Sequence, residues 1–221
     1  MTRCLLYRAC PPGIMAAVAP AIDVLLFDLG GVLVDFSGVE DLMPLLPTAA
    51  PAEDVKARWV ACSISNAFGT GQLSAADFAR RFTERWAIPM EPDAFLREWR
   101  TWTRGWLPGA TELLDGLRPR YRLAALSNCN EVHWDVLCGE LGLLDHVDLA
   151  ISSHQVGTRK PDPAIYRHAL ATLGVPADRV LFFDDASGNV EAAQALGMRG
   201  HVTAGPDAIR LALIADGLIP G

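Results

Sequence analysis

Four short stretches of the chain carry the side chains best suited to chemistry, and three of them close an apolar run. Asp28 ends Ile-Asp-Val-Leu-Leu-Phe-Asp and is followed by Gly30-Gly31. Ser127-Asn128 ends the run from Leu123, and Asp184-Asp185 ends the run from Val180. Lys160 sits within Thr158-Arg159-Lys160-Pro161-Asp162. Three carboxylates, a lysine and a hydroxyl gathered at one place suit phosphoryl transfer, where positioning and charge neutralisation supply most of the catalysis. Singly each has an ordinary reading. A Ser-Asn pair after a strand is a common helix start, an acidic pair serves as a capping turn, and a lone lysine is usually a solvated charge.

The elements must bring these groups together. Short apolar runs bounded by glycine or polar pairs predict buried strands over 22–28, 123–127 and 180–184, with weaker candidates at 149–152 and 200–202. Uninterrupted apolar strands are expected where helices cover both faces of a parallel sheet. Asp162-Pro163, then Ile165, Ala169 and Leu173, closed by Gly174, predict a helix with an N-cap, a first-turn proline and a C-terminal glycine. An alanine-rich helix is expected over 189–196, stopping at Gly197. Alternating strand and helix predict a doubly wound parallel α/β sheet, whose strand carboxyl ends share one crevice.

Between Phe36 and Gly105 the pattern changes. Leu73, Phe78, Phe82 and Trp86, then Phe95, Trp99, Trp102 and Trp106, form helical stripes, and no strand is expected. Ser74 and Asp77 fit a capping box, and Asp93 fits a cap for the next helix. Five of the six tryptophans lie in or beside this stretch. They read first as the core of a small bundle, with some lining a pocket. The expected organisation is an N-terminal extension (1–19), an α/β core (20–36 and 107–221) and a four-helix-like insert (37–106). Movement at the Phe36 and Gly105 connections would admit substrate and exclude water.

Composition narrows the partners. No apolar run approaches the roughly 20 residues that span a bilayer. The net charge of −7 argues against general attraction to nucleic acid, so a small phosphorylated metabolite would need local cations or a metal. The five cysteines show no paired spacing and read as reduced thiols of a cytoplasmic protein. The apolar stretch between Arg3 and Arg8 is too broken for a signal peptide, and Met15 is an alternative start. The five histidines lack metal-ligand spacing, and Cys129 has no evident base to make it a nucleophile. Monomer and homodimer both remain open; exposed tryptophans on the insert would favour a dimer.

FDLGGVLV (27–34), LSN (126–128), RKPDPAIY (159–166) and FFDDASGNV (182–190) resemble, in this order, the four motifs of haloacid dehalogenase-like (HAD) superfamily phosphatases. The resemblance covers residues 22 to 203. The helical insert after the first motif is similar to that family's C1-type cap, and the first motif is similar to the DLGxV branch, which includes bacterial sugar-1-phosphate phosphatases. This implies a HAD-like Rossmannoid core with strand order 5-4-1-2-3. It implies Asp28 as nucleophile, forming an aspartyl-phosphate. Mg2+ would be held by Asp28, the Gly30 carbonyl and Asp185, with Asp184 behind them. Ser127 and the Asn128 amide would bind phosphate oxygens, and Lys160 would neutralise phosphate and Asp28.

One departure stands out. Most such phosphatases have a second aspartate two residues after the nucleophile as general acid and base, and this chain has Gly30. A good leaving group, such as an anomeric sugar hydroxyl, would tolerate the loss. So would a proton shuttle, either a substrate hydroxyl or a cap residue, for which Asp35, Glu40, Asn66 and Arg104 are candidates. The same absence characterises metal-free 2-haloacid dehalogenases of the superfamily, the alternative enzymatic reading. A weakly catalytic phosphate-ligand-binding protein is the non-enzymatic alternative.

Overall fold

The computed structural model describes residues 21–221; the expectations for the N-terminal extension and for Met15 fall outside this range. Strand β1 (Val24–Phe27) leads through a tight turn into β2 (Val34–Phe36). Five helices follow: α1 (Gly38–Leu42), α2 (Ala52–Val60), α3 (Ser63–Gly69), α4 (Ala75–Trp86) and α5 (Pro92–Arg100). The chain returns through β3 (Thr103–Trp106) to α6 (Ala110–Leu117), β4 (Arg122–Ser127), α7 (Glu131–Asp135) and α8 (Leu143–His146). It closes with β5 (Leu149–Ser152), α9 (Ser153–Val156), α10 (Pro163–Leu173), β6 (Val180–Asp184), α11 (Ser187–Gln194), β7 (Arg199–Val202) and α12 (Pro206–Ala215).

The large sheet is parallel, with order β5-β4-β1-β6-β7. Numbered among its own five strands, this is the expected 5-4-1-2-3 order. Alternate residues of each strand go to opposite faces. Leu25, Phe27, Leu123, Ala125, Leu181 and Phe183 meet α6 and α12. Val24, Leu26, Ala124, Leu126, Val180 and Phe182 meet Ile165, Tyr166 and Ala169 of α10. Helices on both faces leave no polar position available along the central strands, which is why they read as unbroken apolar runs. Each large side chain buried this way contributes about 1.5–3 kcal/mol.

The helix α10 begins and ends as expected: Asp162 accepts the Ala164 N–H, Pro163 opens the first turn, and Gly174 takes a left-handed conformation. Ser74 likewise caps α4 by accepting from Asp77 N at 3.2 Å. Other expectations shift. Asp93 lies in the first turn of α5, whose N-cap position is Glu91. The alanine-rich helix starts two residues early, at Ser187. Helix α7 is capped by Asn130, whose side chain accepts from Val132 N and His133 N, so Ser127-Asn128 does not start it.

The larger correction concerns the insert. It holds five helices, and its flanks are strands: β2 and β3 pair antiparallel, Val34 opposite Trp106. The helical stripe stops at Arg100, so Trp106 belongs to β3. Strands of three and four residues carry too few alternations to show a period of two, and Thr-Arg-Gly-Trp shows none. The insert packs its own apolar cluster, including Phe78, Phe82, Trp86, Phe95, Trp99 and Trp102. The last two tryptophans are 3% and 1% exposed. The premise of an exposed tryptophan surface favouring a dimer therefore fails for them.

Candidate active site

Register explains the convergence. Phe27 of β1 stands opposite Phe183 of β6, so the next residues, Asp28 and Asp184, emerge side by side at the carboxyl edge. The Asp28 N–H bonds the Phe183 carbonyl at 2.8 Å and fixes that exit. On the other side Phe27 pairs with Ala125, which brings Ser127 to the same edge. The β1 turn is tight because Gly31 has φ +74° and lies against Asp185, whose Oδ2 would meet an added Cβ at 3.4 Å.

Lys160 reaches this edge from the loop before α10. Its Nζ donates to Asp28 Oδ1 at 2.8 Å and to Asp184 Oδ2 at 2.7 Å, and the lysine is only 2% exposed. Burial alone would depress its pKa, but the two carboxylates outweigh burial and hold it above the ordinary lysine value. Asp28 moves up to about 6, through burial first, with Lys160 opposing and Asp184 adding to the rise. Asp184 is fully buried, and its Oδ1 accepts from Ala186 N and Asn189 Nδ2 at 2.9 and 2.8 Å. With Lys160 on its other oxygen, Asp184 has both oxygens engaged.

Asp28, Asp184 and Asp185 each bring a carboxylate oxygen within 4.8 Å of the others. Three carboxylates against one lysine leave a local excess of negative charge. Asp185 shows the strain: burial and then Asp184 raise its pKa. Hard oxygen donors in excess of their counter-charge fit a divalent cation such as Mg2+. Asp28 and the exposed Asp185 have oxygens to offer it, whereas Asp184 is committed to its hydrogen bonds.

The Asn128 side chain braces the lysine. Its carboxamide grips the Lys160 backbone, Oδ1 accepting the Lys160 N–H at 2.8 Å and Nδ2 donating to the Lys160 carbonyl at 2.9 Å. These two bonds hold the lysine backbone in place. Ser127, 6% exposed, lines a cavity of about 200 Å³ with Asp28, Gly30, Phe36, Lys160 and Asn189.

None of the four proposed proton shuttles lines that cavity. Arg104 of β3 is paired to Asp35 of β2 at 3.2 Å and to Asp41 of α1 at 2.6 Å. Asn66 accepts from Arg159. His133, which sequence reasoning passed over, does line it. Both of its ring nitrogens are engaged, with the Trp99 carbonyl at 2.7 Å and Asn130 Nδ2 at 3.1 Å. Burial lowers its pKa to about 4. It is a neutral strut between α7 and the insert. Cys129 is buried, and burial pushes its thiol well above the ordinary range, which leaves it un-ionised. Asn189 was also missed as a site residue, although it stands inside the fourth motif.

This assembly of a carboxylate, a buried lysine and an acidic pair at the carboxyl edge of a five-stranded parallel sheet defines the class of Rossmann-like α/β hydrolases. A family model of haloacid dehalogenase-like hydrolases matches residues 22–197, and the chain belongs to that family. Among curated relatives, phosphatase MT3486 of Mycobacterium tuberculosis is 28% identical over 82% of this chain and 87% of its own length. Among solved structures, the HAD family enzyme bt-2542 of Bacteroides thetaiotaomicron, in complex with magnesium and inorganic phosphate, superposes with a TM-score of 0.73. It is 23% identical, over 86% of this chain and 99% of that one. The L-2-haloacid dehalogenase of Xanthobacter autotrophicus, with chloropropionic acid covalently bound, is 20% identical with a TM-score of 0.61, over 90% of this chain and 85% of that one. At these identities the structural likenesses show the fold. No described helix is long and apolar enough to cross a membrane.

Proposed function

We propose that the chain is a Mg2+-dependent phosphatase that hydrolyses a small phosphomonoester, a sugar phosphate foremost, through an aspartyl-phosphate on Asp28. The observation that carries the reading is the buried Lys160 bridging Asp28 and Asp184 beside Asp185. The cluster offers one carboxylate aimed at the cavity, a cation to offset the incoming phosphate, and spare oxygens for a metal. A relative of 28% identity over most of both chains, described as a phosphatase, supports it.

In this reading Asp28 attacks phosphorus and the bond to the leaving oxygen breaks, that oxygen taking its proton from water. A second water then attacks phosphorus, the bond to Asp28 breaks, and inorganic phosphate and the free carboxylate result. Lys160 offsets the charge that builds on the phosphoryl oxygens and holds Asp28 in line, while Ser127 hydrogen-bonds one of those oxygens. Asp28, the Gly30 carbonyl and Asp185 would hold Mg2+, which when bound supplies further charge neutralisation at the transferring group. Asp184 positions Lys160. The insert, residues 37–106, is the cap, of C1 type in a DLGxV-branch enzyme, over a core of 20–36 and 107–221. Its separate apolar cluster supports that division.

The test is phosphate release from para-nitrophenyl phosphate and sugar phosphates, with Mg2+ or EDTA, by wild type and Asp28→Asn. Metal-dependent release lost in Asp28→Asn is expected. Metal-independent halide release from 2-haloacids, with no phosphate release, would replace this reading with the dehalogenase one.

A further inference from the structure

A second cavity, of about 270 Å³, adjoins the one that holds Asp28 and shares Phe36, Asn128, Cys129 and His133 with it. Its walls include Phe36, Trp59 and Trp99, and its charged lining residues are Arg159 and Lys56, with no carboxylate among them.

Of these two cations Arg159 is the half-buried one. Its backbone is fixed: it precedes the clamped Lys160, and its carbonyl accepts the Asp162 N–H at 2.9 Å. Its guanidinium donates to a neutral group, Asn66 Oδ1 of α3, and forms no ion pair among the described residues. Burial lowers its pKa, and no neighbouring charge counters that shift. A half-buried guanidinium is costly unless an anion meets it, and its planar fork suits an oxyanion held by two parallel bonds. Lys56 is exposed at the rim and also feels Asp185.

We infer that the substrate carries a second oxyanionic group, which Arg159 binds in the adjoining cavity with Lys56 at its edge, while the phosphoryl group sits at Asp28. The inference rests on the phosphatase reading and narrows it to compact doubly anionic phosphomonoesters, such as phosphorylated sugar acids or sugar bisphosphates. The aromatic walls hold the carbon skeleton between the two charges. Arg159 is thus a specificity residue, read from the cap through Asn66.

Calorimetric titration with short alkylphosphonates tests this without turnover, in the presence of Mg2+. Three probes of equal length end in a carboxylate, a second phosphonate or a neutral amide. Wild type is expected to bind either anionic probe at least about tenfold more tightly than the amide, and the stronger of the two names the natural group. Arg159→Gln should abolish that preference, Arg159→Lys should retain part of it, and Lys56→Gln should weaken it. Equal affinities for all three probes, no measurable binding of any, or a preference unchanged in Arg159→Gln would overturn the inference. Phosphate release from para-nitrophenyl phosphate, sugar phosphates, sugar bisphosphates and phosphorylated sugar acids is scored separately: its absence from all of them alongside an intact anionic preference would sink the phosphatase reading alone.

Discussion

Gly30 is where an added carboxylate would say most about mechanism. Gly30→Asp places a carboxyl in the Asp28 cavity, two residues beyond the proposed nucleophile. The backbone permits it, because Gly30 is not among the glycines with positive φ. A Cβ there would meet Phe36 Cδ1 at 3.5 Å and Phe36 Cβ at 3.6 Å, ordinary contact distances that demand no rearrangement. The backbone carbonyl, the group expected to face a metal, is unchanged. The new carboxyl joins three others already gathered within 4.8 Å around one lysine. Like charge raises its pKa, which is what a proton donor to a leaving oxygen requires.

General acid–base help is worth about 10²–10⁴ in rate, or about 3 to 5 kcal/mol of barrier at about 1.4 kcal/mol per decade. An unoptimised carboxyl should reach the low end. The expected result is a rise of about 10² in kcat/KM on an unactivated alkyl phosphate, with little change on para-nitrophenyl phosphate, whose leaving group needs no proton. The assay is a leaving-group series compared between wild type and Gly30→Asp: the wild-type dependence on leaving-group pKa should be steep and the variant's shallow. A folded variant with both substrates changed by the same factor would refute the reasoning. So would a wild type already insensitive to the leaving group.

Other perturbations follow from the same geometry. Lys160→Met leaves Asp28 and Asp184 buried without their shared cation; near pH 7 and without metal, a loss of about 3–5 kcal/mol in urea unfolding is expected, and under about 1 kcal/mol would contradict it. Asn128→Ala removes both bonds that clamp the Lys160 backbone, so kcat should fall by up to about 10² through misplacement while the fold persists by circular dichroism. His133, held at about 4 by burial, takes a proton in the unfolded chain near about 6.5, so the unfolded state gains protons first. Stability should therefore decline as pH falls from about 6.5 towards about 4, by up to about 3 kcal/mol. Unfolding free energies against pH would show this excess in wild type over His133→Gln, and parallel curves would rule it out.

What could be read from the residues, and what could not, divides along the distance between interacting groups. The strand ends were legible because a buried parallel strand leaves a run of apolar residues broken abruptly by polar ones, and Phe27 opposite Phe183 then makes Asp28 and Asp184 neighbours. Helix α10 was legible because its cap, proline and terminal glycine are local. The β2–β3 ribbon was not, since a strand of three residues is defined by a partner 70 positions away, not by its own pattern. The Asn128 clamp on Lys160 and the bond from Arg159 to Asn66 span 32 and 93 residues, and no spacing rule reaches that far. Local motifs set where phosphorus would be attacked, whereas a guanidinium fixed beside the motif lysine and steered by a cap side chain would set which molecule brings it there. If Arg159 answers an anion in the substrate, the cap acts on specificity by orienting a core residue as well as by lining the pocket. Substitutions at Asn66 should then alter substrate preference without altering the chemistry at Asp28.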